Sequence, residues 1–178
     1  QEDFALAVRA TDAADQISLA GFSSRSFGVS RKADNSEVTE IDQATEKAIV
    51  KVFTAERPGY GIFGEEYGVS GPANAEYQWV IDPIDGTTNF VRGVPVWATL
   101  IALVHNGVPV LGVVSAPAMG FRWWASTGGG GFGSRLGIME ATTAGEGAQA
   151  AGDLRAGAAR EGLGFAAGRY DTDRAARA

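Results

Sequence analysis

Apolar residues near the start of the chain recur at the spacing of an α-helix. Phe4 and Val8, for example, lie four residues apart and fall on one helix face. This pattern predicts a helix over residues 4–22 that ends near Gly21. Residues 23–40 are mainly polar, and they predict a loop.

A second stretch with helical spacing covers residues 41–54, where apolar side chains again recur every three or four positions. Pro58 and Gly59 follow shortly afterwards and predict the end of this helix. The N-terminal third of the chain is therefore predicted to supply two amphipathic helices.

Short apolar runs separated by polar or glycine-rich turns predict the strands of a sheet. These runs cover residues 61–64, 79–81, 97–104, 110–115 and 122–125, with a further strand beginning at Phe132. We expect Asp82 to end the second of them, residues 68–76 to form a loop, and residues 89–91 to form a helix or turn. Asn106-Gly107 predicts a tight hairpin. Consecutive strands with short connections imply an antiparallel sheet flanked by helices, in the α+β class.

The composition changes near Arg135. Ala and Gly make up roughly half of residues 136–178, which is a compositional bias without an apolar stripe. We therefore predict a domain over residues 1–135 and a weakly ordered or loosely helical tail over 136–178.

Charge and composition exclude several kinds of function. The net charge of −6 and the pI near 4.8 disfavour binding to nucleic acid or to a membrane surface. There is no cysteine and only one histidine, His105, so a metal site must use oxygen ligands, which suit Mg²⁺, Mn²⁺ or Ca²⁺. No apolar run reaches the length of a membrane span. The acidic first residues lack the basic start of a signal peptide, and we expect a cytoplasmic protein.

The strongest candidate chemistry follows the apolar run at residues 79–81. Asp82 and Asp85 can converge on one or two cations, and the carbonyl of Ile84 between them can add a neutral ligand. Glu65 and Glu66 end a neighbouring predicted strand and supply further carboxylates. Bound cations would bridge phosphate oxygens and activate a water molecule.

The residues after Asp85 suit a phosphate group. Gly86 permits a tight turn, and Thr87 and Thr88 offer hydroxyl and backbone N–H groups at a predicted helix start. Taken singly, each of these short sequences is an ordinary turn or solvated surface. Their occurrence together, in this order, favours a metal and phosphate site.

The acidic segments resemble the inositol monophosphatase family. The resemblance rests on residues 64–66 (GEE) and 79–90 (WVIDPIDGTTNF) and extends over about residues 3–134. Three further segments are similar to the bacterial histidinol-phosphate phosphatase branch of that family: residues 92–97, 115–118 and 122–124.

The resemblance implies a layered α/β sandwich of the inositol-monophosphatase type and a Mg²⁺-dependent phosphomonoesterase, with Mn²⁺ as an alternative cofactor. The implied reaction is hydrolysis of L-histidinol phosphate to L-histidinol in histidine biosynthesis. Inositol 1-phosphate or a related small phosphate ester is the alternative substrate. A homodimer is implied for the intact full-length enzyme.

The resemblance also implies residue roles. The implied Mg²⁺ ligands are Glu65, Asp82, Asp85 and the Ile84 carbonyl. Glu65 and Thr87 would orient and activate water, Asp42 would lie near the metal-bound waters, Lys32 would belong to a mobile loop over the site, and the backbone of Gly86, Thr87 and Thr88 would hold phosphate.

The family continues with a second half that carries a Trp-Asp motif, whose aspartate completes the metal site. No Trp-Asp pair occurs in this sequence, since its last two tryptophans are followed by Trp124 and Ala125. A second hypothesis is therefore a truncated, non-catalytic fragment that binds metal or a partner subunit.

Overall fold

The computed structural model describes residues 2–135 of the 178-residue chain, and it contains the helices that the sequence predicts. Helix α1 covers Glu2–Ser24, α2 covers Glu40–Glu56 and α3 covers Thr87–Arg92. Helix α1 continues past Gly21 to Ser24. The glycine serves close packing there, because a Cβ at this position would clash with the side chain of Ile41. The predicted tail, residues 136–178, lies outside the described residues.

The loop predicted between the first two helices is wrong in part. It contains a small hairpin of β1 (Val29–Arg31) and β2 (Glu37–Thr39), paired antiparallel. The turn is set by Asp34, whose carboxylate accepts hydrogen bonds from the backbone N–H and the hydroxyl of Ser36. Strand β1 is exposed along its length, so it lacks the apolar alternation that would have predicted it.

Seven strands form the main sheet, in the order β4-β3-β5-β6-β7-β8-β9. Their bounds are β3 Gly61–Gly64, β4 Gly68–Ser70, β5 Tyr77–Asp85, β6 Ala98–His105, β7 Val108–Ala116, β8 Phe121–Ser126 and β9 Gly130–Arg135. A short 3₁₀ turn, Pro117–Met119, connects β7 and β8.

The sheet is mixed, which corrects the prediction of an antiparallel sheet. Strands β3 and β5 run parallel, and every other neighbouring pair is antiparallel. The chain leaves β3, forms β4 on its outer side and returns to its inner side as β5. Strand β4 lies in a region predicted as loop, and β5 continues to Asp85 instead of ending at Asp82.

The predicted hairpin between β6 and β7 is confirmed. Asn106 and Gly107 both have positive φ angles, 48° and 81°, and His105 pairs with Val108 across the turn. His105 also contacts Glu76, with 2.6 Å between Nε2 and Oε1.

Helices α1 and α2 cover one face of the main sheet. Small residues of α1, Ala7, Ala10 and Ala14, are fully buried and allow close packing. Phe53 of α2 stacks on Trp79 of β5, with ring centroids 4.0 Å apart. Burying these two large rings removes a large apolar area from water and fixes α2 over β5.

A buried polar network joins α1 to strands β7 and β8. Asp15 Oδ2 accepts hydrogen bonds from Ser115 Oγ at 2.8 Å and from Arg122 Nη2 at 2.6 Å. Arg122 Nη1 also donates to Asp12 Oδ1 at 2.8 Å. Because all of these side chains except Asp12 are buried, the network ties the first helix to the far half of the sheet.

Within residues 2–135, no helix has the length and apolar character to cross a membrane.

Candidate active site

The two acidic segments meet at one edge of the main sheet. Strands β3 and β5 are parallel neighbours, with Gly64 opposite Ile81. The Glu65 backbone N–H donates to the Ile81 carbonyl at 3.1 Å. Glu65 therefore follows β3 where Asp82 continues β5, so the predicted adjacency of these strands is confirmed.

The segment from Asp82 to Asp85 interrupts the regular pairing of β5. Asp82 lies opposite Leu100 and Asp85 lies opposite Ala98, so two residues of β5 have no register partner on β6 between them. The hydroxyl of Thr99 donates to the Pro83 carbonyl at 2.8 Å and holds this irregular segment. The two aspartates on either side of the interruption are close enough for the charge of Asp85 to contribute to the raised pKa of Asp82.

Gly86 separates the aspartates from α3 and has a φ angle of 92°, a left-handed conformation that glycine adopts without strain. Helix α3 then begins at Thr87, and its Phe90 packs with Ile84 and Trp97 in a second apolar cluster. Arg25 holds the other end of α3 by donating to the carbonyl oxygens of Phe90 and Val91, at 2.9 and 2.6 Å.

Asp82 is the most perturbed carboxyl of the site. Burial is the largest cause, and together with the charge of Glu65 it raises the pKa of Asp82 to about 9. Asp82 Oδ1 is buried and has no hydrogen-bond partner. Burial and the charge of Glu65 also raise the pKa of Asp85. Like charges are crowded here, and a cation would relieve that crowding.

Lys32 lies over Glu65 and Glu66. Its Nζ is 2.8 Å from a carboxylate oxygen of each. Burial by itself would lower the pKa of Lys32, but the hydrogen bonds to the two glutamates raise it instead. The structure thus brings Lys32, which only the family resemblance singled out, to the acidic edge; whether its loop moves stays a prediction.

Asp42 connects α2 to the Asp82–Thr88 segment. Its Oδ1 lies 2.9 Å from Thr87 Oγ1, and the same hydroxyl is 3.0 Å from the Ile84 carbonyl oxygen. Its Oδ2 accepts from Thr39, whose side chain caps α2 in a capping box. Burial raises the pKa of Asp42 although Thr39 and Thr87 donate to it.

Glu46 is a buried residue near the site that the sequence reading missed. Its Oε2 accepts from the Glu66 N–H at 2.8 Å and its Oε1 from the Tyr67 N–H at 3.1 Å. The signal that could have found it is its position four residues after Asp42, on the same face of α2. A glutamate on the core-facing side of a helix is rare unless its carboxylate has partners.

The candidate metal ligands have the chemical character that a divalent cation requires. They are all oxygen donors, one buried carboxylate oxygen has no partner, and the neighbouring charges are alike. Within the described range, 2–135, no three or more His, Cys, Asp or Glu side chains already stand in a metal-holding arrangement. The ion pairs of Lys32 with Glu65 and Glu66 occupy part of this donor set.

The sequence pattern of the Inositol monophosphatase family matches residues 1–152. The chain is 47% identical over 133 residues to a histidinol-phosphatase of Mycobacterium tuberculosis and 46% identical over 138 residues to one of Streptomyces coelicolor. Each alignment covers 75% of this chain and 51% of the relative. The chain therefore belongs to the inositol monophosphatase family, and it spans about half the length of the curated relatives it matches.

Solved structures agree on the fold. The extragenic suppressor protein SuhB of Bartonella henselae superposes with a TM-score of 0.72 at 29% identity, over 75% of this chain and 52% of that one. The inositol monophosphatase TM1415 of Thermotoga maritima gives 0.69 at 31% identity, with the same two coverages. The predicted α+β fold of the inositol-monophosphatase type is thereby confirmed.

Proposed function

We propose that this chain carries the metal- and phosphate-binding part of a Mg²⁺-dependent phosphomonoesterase that hydrolyses L-histidinol phosphate. The observation that carries the proposal is the carboxylate group at the end of β5. Asp82 and Asp85 lie beside Glu65, and Asp82 has a buried oxygen without a partner. Such crowding of buried acids is costly unless a cation compensates it.

Glu65, Asp82, Asp85 and the Ile84 carbonyl are the groups that would hold Mg²⁺, with Mn²⁺ as the alternative. When bound, the ion supplies Lewis-acid stabilisation of negative charge and lowers the pKa of a bound water. These donors match the preference of both cations for oxygen.

The remaining roles fall to groups beside the carboxylates. Asp42 Oδ1 and the Ile84 carbonyl share the single proton of the Thr87 hydroxyl, which fixes the orientation of Oγ1 and leaves its lone pairs available to orient water beside Glu65. The backbone N–H groups of Gly86 to Thr88 would bind the phosphate oxygens. Lys32 supplies positive charge at the same edge.

The substrate assignment rests on the relatives. Two curated relatives that match at 46–47% identity are named histidinol-phosphatases. An inositol-1-monophosphatase of Mesorhizobium japonicum matches at 39% identity over 115 residues, and it supports inositol 1-phosphate as the second candidate.

Calorimetry with Mg²⁺ and phosphate-release assays with both esters test this proposal. Asp85→Asn should abolish Mg²⁺ binding and phosphate release. It should not lower the melting temperature in metal-free buffer, since it removes one of several crowded like charges. Asp12→Asn, at an exposed position of α1, is the matched control and should bind Mg²⁺ and release phosphate as wild type does.

The outcomes separate the hypotheses. Retained Mg²⁺ binding or turnover in Asp85→Asn contradicts the ligand assignment. A clear preference for inositol 1-phosphate in the phosphate-release assay would contradict the assignment of L-histidinol phosphate as substrate and replace it with the inositol ester. Wild-type binding of Mg²⁺ without turnover of either ester favours the non-catalytic, metal-binding alternative.

A further inference from the structure

Two carboxylates on one face of α2 reach the two acidic segments of the site. Asp42 and Glu46 are four residues apart, and each is only 1% exposed. Asp42 contacts Thr87 in the segment after β5. Glu46 contacts the turn after β3, where both of its oxygens accept backbone N–H groups.

Glu46 contacts the backbone immediately after Glu65 in the chain. Strand β3 ends at Gly64, and Glu46 accepts from the N–H groups of Glu66 and Tyr67, the two residues that follow Glu65. The backbone of Glu65 is therefore held on both sides, by Ile81 of β5 through its own N–H and by Glu46 through the next two.

Gly64 shows how closely the carboxylate packs. A Cβ built at this position would overlap the Oε1 atom of Glu46. The φ angle of Gly64 is not positive, so backbone conformation does not require glycine there. The close approach of the Glu46 carboxylate does require it.

We propose that Glu46 is a positioning residue for the candidate metal site, acting by holding the Glu65–Tyr67 turn so that the Glu65 carboxylate faces Asp82. Glu46 is not a ligand in this proposal, because both of its oxygens are engaged by backbone N–H groups. The inference rests on the proposed Mg²⁺-dependent function. Groups that orient metal ligands typically change metal affinity by about 10- to 100-fold when they are replaced.

Glu46→Gln tests the proposal with little change in volume, because the amide keeps one acceptor and places an N–H₂ group against the second backbone N–H. We expect Mg²⁺ affinity, measured by calorimetry well below the melting temperature, to fall about 10- to 100-fold. Amide hydrogen exchange at Glu66 and Tyr67 should accelerate in the same variant. Glu56→Gln, at an exposed position of the same helix, is the matched control and should leave both measurements unchanged.

A second variant approaches the same contact from the other side. Gly64→Ala should weaken Mg²⁺ binding to a similar extent, because the new Cβ displaces the Glu46 carboxylate. Glu46→Ala completes a double-mutant cycle with Gly64→Ala. Since both replacements break one contact, the loss of Mg²⁺ affinity in Glu46→Ala/Gly64→Ala should not exceed the larger of the two single losses. Glu46→Gln provides the test by itself if Gly64→Ala is poorly folded, and Gly64→Ala provides it if Glu46→Gln is poorly folded.

The results distinguish the two proposals. If wild type binds Mg²⁺ and Glu46→Gln binds it within twofold, the positioning role is overturned while the proposed function stands. A lower melting temperature with unchanged Mg²⁺ affinity assigns Glu46 a structural role only, and also overturns it. If wild type binds no Mg²⁺, the proposed function fails and this inference fails with it.

Discussion

The buried Asp15–Arg122 ion pair offers a stability test that is independent of the proposed chemistry. Asp15→Ala removes the carboxylate that accepts from Arg122 Nη2 and Ser115 Oγ. Arg122, whose side chain is 9% exposed, then keeps Asp12, whose side chain is 56% exposed, as its charged partner, together with the Ser115 hydroxyl at 3.4 Å from its Nε. The perturbation leaves a buried guanidinium whose one carboxylate partner is solvated.

The magnitude follows from this burial. Breaking one side of a buried ion pair costs about 3–5 kcal/mol, because the remaining charge is left without compensation. For a domain of this size that loss lowers the melting temperature by about 6–20 °C. Burial raises the pKa of Asp15 even though Arg122 and Ser115 oppose the rise, so burying this charge is itself costly. Replacing both partners with apolar residues, as in Asp15→Leu/Arg122→Met, should therefore recover more than half of the loss.

Urea unfolding followed by tryptophan fluorescence measures these free energies of unfolding, and Asp12→Ala is the matched control. Asp12 contacts the same guanidinium but is exposed, so its replacement should cost about 0–1 kcal/mol. The reasoning is refuted if Asp15→Ala costs no more than Asp12→Ala. It is also refuted if the double apolar variant is less stable than Asp15→Ala.

Two further predictions concern the hydroxyl beside the site and the hairpin between β6 and β7. Thr87→Val removes the donor to the buried Asp42 carboxylate and should cost about 1–3 kcal/mol in unfolding free energy. Thr87→Ser keeps the hydroxyl and should retain the unfolding free energy that Thr87→Val loses. Equal stability of the Val and Ser variants would contradict the hydrogen bond between Thr87 and Asp42. Gly107→Ala should cost about 1–2 kcal/mol in unfolding free energy, because alanine is strained at the φ of +81°. The cost is one of backbone conformation alone, since nothing lies within 4 Å of the added Cβ. A wild-type melting temperature would show that the turn can adopt another conformation.

Where side chains alternate in burial, the sequence predicted the fold well. Strands β6 and β7 and the Asn106-Gly107 turn follow from local pattern and turn chemistry. The β1–β2 hairpin did not follow, because β1 is exposed and no apolar periodicity marks it. The parallel pairing of β3 with β5 depends on where β4 sits, and this tertiary arrangement has no local signal.

The candidate site divides in the same way. Asp82, Asp85 and Glu65 could be selected from their positions at or just after predicted strand ends, since strand ends that share a sheet edge bring side chains together. Asp42 and Lys32 entered only through the family resemblance, and Glu46 was missed. Each of these three residues contacts a partner that is distant in the sequence. Lys32 contacts Glu65, 33 positions away, and Glu46 contacts the backbone N–H of Glu66, 20 positions away. Asp42 contacts Thr87, 45 positions away. Contacts of this kind require the folded arrangement of α2 over the sheet.

The double engagement of Asp42 bears on how related sequences can be interpreted. One carboxylate oxygen completes the capping box of α2 and the other accepts from Thr87, so folding and site geometry both select for this residue. A descendant that lost the proposed reaction would still gain stability from Asp42 in the capping box of α2, whereas neutralising Asp85 would relieve like-charge crowding. Among diverged copies, retention of Asp85 would therefore be the more informative marker of the proposed catalysis.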